Sequence, residues 1–268
     1  MDIINFLVYP FLACLLLIVI HAYFGIHILQ RGIIFVDLAL AQFIGIGIAF
    51  SFLIGEEHGT LLALAFALIG AFILSLSKRV SRLVNIEAFI GVLYIFSVSA
   101  AILILDRSPH GLEEFKTILN GSIIWVTPHE VLTTLFVYGI VGLLHFILRR
   151  RFLALTYEGK GTAFLEFLFF ASFAVVLVKS VKMAGILQVF SFLVIPALIG
   201  RLYSLKPFTI LMIGWIVGVL ITIAGIALSY KLDAPTAPVI VSGLAFAFFV
   251  LLAIKAARQK NGLETKNQ

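Results

Sequence analysis

Residues 33–54, IIFVDLALAQFIGIGIAFSFLI, decide the fold, because a run of membrane-spanning length carries one carboxylate, Asp37, and one carboxamide, Gln42. At 1.5 Å of rise per helical residue, Asp37 lies roughly 7 Å into such a span and Gln42 roughly 15 Å, near the middle of a hydrocarbon core about 30 Å thick. A charge at that depth costs on the order of 3 kcal/mol, so it faces protein or a water-filled path rather than lipid. Five residues separate the two, about 140° around a helix, so they cannot point at one atom while the helix stays regular. Gln42 shares its face with Gly45 and Ala49, small residues that allow close helix contact. Two readings stay open: polar glue in a helix interface, or successive stations of a translocation path.

Outward from this stretch the chain is of one kind. Of its 268 residues 62% are hydrophobic and 12% charged, whereas a soluble domain is about 45–50% apolar. Apolar runs of helical character recur from end to end, which excludes the period-two alternation of a β-barrel. The expectation is an all-α polytopic integral membrane protein with nine spans, near residues 6–29, 33–54, 60–77, 86–105, 131–148, 163–180, 184–204, 208–230 and 237–255. Residues 1–255 form one transmembrane domain and 256–268 a polar cytoplasmic tail. The first span has no basic stretch before it and reads as a retained helix, not a cleaved signal. Cys14 is the sole cysteine, which excludes internal disulfides and thiolate clusters.

Basic residues near span ends stay cytoplasmic. With Lys78, Arg79, Arg82 and Arg149, Arg150, Arg151 inside, 14 of the 19 Lys and Arg residues fall on the inner side and five on the outer. The N-terminus is then outside and the C-terminus inside. Positive charge follows the membrane, so no nucleic-acid partner is implied. The outer loops collect Asp2, Glu56, Glu57, His58, Asp106, His110, Glu113, Glu114, His129, Glu130 and Asp233 without chelate spacing. They read as solvated loops, or as a surface for cations or a basic partner.

The turn ILQRGI between the first two spans is short, so an antiparallel hairpin is expected. Counting from Arg31 then sets His27 level with Asp37 near the inner boundary and His21 level with Gln42 near the midplane. Glu87 and Glu166 begin spans near the inner interface, where snorkelling suits a structural role. His145, near the arginine triplet, reads as an interface residue. Pro196 lies mid-span and suits packing or a hinge. No GxxxxGK[ST] run or HExxH spacing occurs, so an ATP motor would be another chain.

The segment RGIIFVDLALAQFIGIG, residues 31–47, resembles the signature segment of the permeases of zinc/manganese/iron-type ABC importers. Residues 86–98, 119–126 (LNGSIIWV), 182–200 and 232–241 (LDAPTAPVIV) are similar to further segments of that family, in its order. The resemblance implies a homodimeric permease with cytosolic ATPase subunits, an extracytoplasmic metal-binding protein, a multi-pass place in the cell membrane, no permanent cofactor, and a divalent metal ion as cargo. Asp37 matches the family aspartate, and Asp37 and Gln42 become candidate metal contacts, with His21 and His27 beside the path. The family histidine falls on Ala41 or Gln42 and its glycine on Val36, so imidazole is absent here. A carboxamide oxygen is a harder donor and suits manganese or iron better than zinc. Tyr157, Glu158 and Gly159 are the counterparts of the family's ATPase-coupling loop. An ion- or proton-coupled secondary transporter, titrating Asp37 with His21 or His27, is the alternative.

Overall fold

A computed structural model describes residues 3–54, 58–81, 83–108, 111–121 and 123–264. Of the loop residues named above, Asp2, Glu56, Glu57, Arg82 and His110 lie outside the described residues. The described chain is helical, with no strand. Its helices are α1 (Ile3–Arg31), α2 (Val36–Ile54), α3 (Gly59–Ser75), α4 (Ser77–Val80), α5 (Ile86–Leu105), α6 (Gly111–Asn120), α7 (Pro128–Ile147), α8 (Arg149–Tyr157), α9 (Ala163–Tyr203), α10 (Pro207–Leu232) and α11 (Thr236–Glu264). Among the described residues seven helices are long and apolar enough to cross a membrane, and α3 is a shorter apolar helix of 17 residues.

Local chemistry sets the helix ends. Asn85 Oδ1 accepts the N–H groups of Glu87 and Ala88 at the start of α5, and Thr127 and Glu130 form a reciprocal capping box ahead of Pro128 in α7. Asp233 closes α10 in the left-handed conformation, at φ 51°. The last helix continues through residue 264, so most of the polar 256–268 stretch prolongs α11.

The 41 residues of α9 are two legs. Its ends, Glu166 and Arg201, would stand about 52 Å apart on a straight helix. Yet Arg31 Nη2 donates to Glu166 Oε2 at 2.5 Å, and Arg201 Nη1 donates to the Leu29 carbonyl at 3.1 Å. Both ends therefore meet the same end of α1, and the chain folds back at Gly185, its one non-helical residue (φ 76°, ψ 163°). A Cβ there would lie 2.3 Å from Gly121 N, and one on Gly121 (φ 62°) would lie 2.1 Å from the Ala184 carbonyl carbon. Two glycines thus lock the reversal against the 119–121 turn. The legs 163–184 and 186–203 correspond to the expected spans 163–180 and 184–204, with the turn placed a few residues later.

This doubled helix is the centre of the molecule. The first leg meets α7 and α1 on one side and α3 on the other, through Lys182 Nζ to Thr60 Oγ1 (2.6 Å) and the Phe72–Phe167 ring pair. The second leg packs on α1, where a Cβ on Gly25 would lie 2.0 Å from the Leu193 carbonyl oxygen. On α10, Gly214, Gly218, Thr222 and Gly225 form a buried stripe of small residues facing Pro196, Ile18 and Ile240.

The expected hairpin of α1 with α2 does not form. α2 packs on α3, α5 and α9, and α1 on α9, α10 and α7. A short connection limits the distance between helix ends, not the angle between axes. Gly32 at φ 66° and residues 33–35 let the two helices splay, and each packs on α9.

Candidate functional site

Asp37 sits in the first turn of α2 and is fully buried, and neither carboxylate oxygen has a hydrogen-bond partner. Gln42, one and a half turns on, is 2% exposed with Oε1 equally unpartnered. Buried acceptors are ordinarily matched by donors. Three such oxygens without a donor are acceptors of the kind a hard cation takes as ligands. Among the described residues, no three His, Cys, Asp or Glu side chains stand together as a metal cage.

The level pairs of the sequence reading do not become contacts, because α1 and α2 diverge. His21 Nδ1 bonds the Leu17 carbonyl at 2.8 Å, its Nε2 is buried and unpartnered, and its ring lies edge-on to Tyr138. His27 Nδ1 pairs with Thr156 Oγ1 at 2.7 Å, across 129 residues of sequence. Asp37 is bonded to neither histidine.

The polar residues instead form a second cluster at the junction of α1, α7, α8 and the first leg of α9. Tyr23 OH and His145 Nδ1 lie 3.0 Å apart, and His145 Nε2 lies 2.7 Å from Ser172 Oγ, whose hydroxyl donates to the Phe169 carbonyl. His145 is 3% exposed and internal, not an interface residue as its neighbourhood of arginines suggested. Glu166 does not snorkel either: it is 2% exposed and paired with Arg31, whose guanidinium lies over the rings of Phe169 and Phe170. Glu87 Oε1 accepts the Phe35 N–H at 3.2 Å and steadies the entry to α2. Sequence reasoning missed Tyr23, Thr156 and Ser172, ordinary residues whose partners are distant in the chain. Gln188 was missed as well, with Nε2 3.5 Å from Cys14 Sγ and Oε1 buried without a partner.

Pro196 stays helical and buried, its carbonyl facing Gly214 of α10, and the break in α9 is at Gly185. Tyr157 ends α8, an element the sequence reading left as loop, with Glu158 as its cap and Gly159 next in the chain. Gly159 adopts φ 66° and lets the Lys160 N–H reach the Ala154 carbonyl. Glu158 pairs with Lys160 at 2.9 Å in solvent. Tyr157 lines a small, largely apolar pocket that also holds Gln30 and Arg201, and partial burial holds its phenol above the usual range while the Arg201 charge opposes that shift.

Residues 3–255 match the sequence model of the ABC 3 transport family. The chain belongs to the ABC 3 transport family. Relatives include a "Probable metal transport system membrane protein" of Chlamydia pneumoniae, 27% identical over 91% of this chain and 87% of its own. A "Probable iron transport system membrane protein" of Haemophilus influenzae is 23% identical over 92% and 88%. Among solved structures, PsaBC from Streptococcus pneumoniae in complex with Fab has the same fold, with a TM-score of 0.76 at 20% identity, covering 92% of this chain and 91% of that one. This ABC 3 transport protein is therefore a multi-span membrane protein of a transport system, with a transport role.

Proposed function

We propose that this chain is the permease subunit of an ATP-driven importer of a divalent transition metal ion, working as a homodimer in the cell membrane. Nine crossings place the N-terminus outside and the C-terminus inside. A separate cytosolic ATPase binds at α8, and an extracytoplasmic metal-binding protein delivers the ion outside. The observation that carries the reading is Asp37: a fully buried carboxylate with no protein donor, at the position where the sequence resembles a metal permease's signature. Asp37 attracts the ion by charge and Gln42 offers a carboxamide oxygen. His27 serves α8 through Thr156. Oxygen donors favour manganese or iron over zinc, and relatives named for iron and manganese transport support that choice. Access alternates as ATP binding in the partner rocks the helices, with Pro196 as the flexible point.

The test is uptake of radioactive manganese by proteoliposomes holding the complex with ATP inside. Uptake that needs ATP and the binding protein, and vanishes in Asp37→Ala at normal protein level, is the expected result. Uptake by this chain alone that collapses with the ion gradient would replace the reading with a secondary transporter.

A further inference from the structure

We propose that His27 and Thr156 are positioning residues that carry movement of α8 into the core helix α1. The inference rests on the reading of α8 as the contact of the ATPase. This nine-residue helix has two unlike faces. Arg149, Arg150, Arg151 and Tyr157 are exposed, whereas Phe152, Leu155 and Thr156 are buried. Phe152 and Thr156 are one turn apart and point the same way, each onto a buried histidine. Phe152 stacks on the His145 ring (centroids 4.3 Å apart, 17° between planes), and Thr156 Oγ1 meets His27 Nδ1 at 2.7 Å.

Packing alone calls for neither a hydroxyl nor an imidazole here, since an apolar pair would fill the same space. What the pair adds is direction. A hydrogen bond weakens steeply with misalignment, so a displaced α8 either takes His27 with it or loses the bond with both partners buried. His27 and His145 both meet Tyr23, by ring edge and by hydrogen bond, and one turn further along α1 Arg31 holds Glu166. The inner end of α1, α8 and the start of α9 are thereby one connected polar unit.

The variants Thr156→Val, which keeps shape and loses the hydroxyl, and Thr156→Ser, which keeps the hydroxyl, separate this role from packing. In proteoliposomes of the whole complex, Thr156→Val should leave basal ATP hydrolysis unchanged. Metal uptake per ATP should fall about tenfold, the scale of one lost buried hydrogen bond, and Thr156→Ser should restore it. A wild-type ratio in the valine variant, an equal fall of hydrolysis and uptake, or no rescue by serine would each overturn the proposal. Hydrogen exchange of the complex with a non-hydrolysable ATP analogue gives a second reading. In the wild type, protection should change in residues 24–31 and 149–157 together, and in Thr156→Val only in 149–157. Both segments changing in the valine variant would sink the inference alone. No change at 149–157 in the wild type would sink it together with the assignment of α8 to the ATPase.

Discussion

Asp37 and Glu166 are two buried carboxylates with opposite energetics, and the difference sets the proposed cargo contact apart from a structural pair. Asp37 has no protein donor, so its burial is uncompensated and adds nothing to the stability of the fold. Asp37→Asn keeps the shape and removes the charge. The expected result is an unchanged or higher thermal midpoint in detergent, with metal uptake lost. A lower midpoint would mean that Asp37 is structural glue, the other reading of its sequence. Glu166 is paired with Arg31, whose side chain is 10% exposed. Glu166→Gln leaves that guanidinium uncompensated and should destabilise the protein by about 3 kcal/mol, read as a clear drop in the same midpoint. Asp37 was legible in sequence because a lone charge inside an apolar run stands out. Glu166 was not, since a carboxylate near a span end reads as snorkelling and its partner is 135 residues away.

Among the elements, α9 carries the most information, because a single residue turns one helix into two. Gly185→Ala meets both obstacles to a side chain, a left-handed backbone and atoms at 2.3 Å. Little folded protein should be recovered by size-exclusion chromatography in detergent. Gly142→Ala on α7 is the matched control: no atom lies within 4 Å of the added Cβ. It should raise stability by roughly 0.5–1 kcal/mol, the usual gain of alanine over glycine inside a helix. The break was legible from Lys179 and Lys182, two charges too close for one span to hide. The short helices α6 and α8 were not, since ten and nine residues of mixed polarity look like loops until tertiary contacts hold them.

For the whole molecule, contacts alone define two ends, and the proposed orientation of those ends rests on charge. Arg31, Glu166 and Arg201 meet at one end, and Lys255 joins them there by donating to the Leu202 carbonyl. Lys160, between α8 and the first leg of α9, belongs to the same end. α10 starts there, passes Pro196 at Gly214 and Ile18 at Gly218, and so carries Lys231 to the opposite end. That alternation was legible as a count of lysines and arginines, whereas the parting of α1 from α2 was not, because nothing local tells a short linker which helices its two neighbours will pack on. In the proposed orientation, with cations gathered on the cytoplasmic side, Lys160 and Arg258 would face the cytoplasm and Lys231 the exterior. Cys14 is the only native cysteine and is buried, so Cys14→Ser gives a clean background for single-cysteine labelling. In whole cells, an impermeant maleimide should label Lys231→Cys, while Lys160→Cys and Arg258→Cys should react only in inverted vesicles. All three target side chains are exposed, so failure to react reports the membrane and not burial. Labelling of Lys160→Cys and Lys231→Cys from one side would mean that α9 or α10 does not cross, and the nine-crossing arrangement would fall with it.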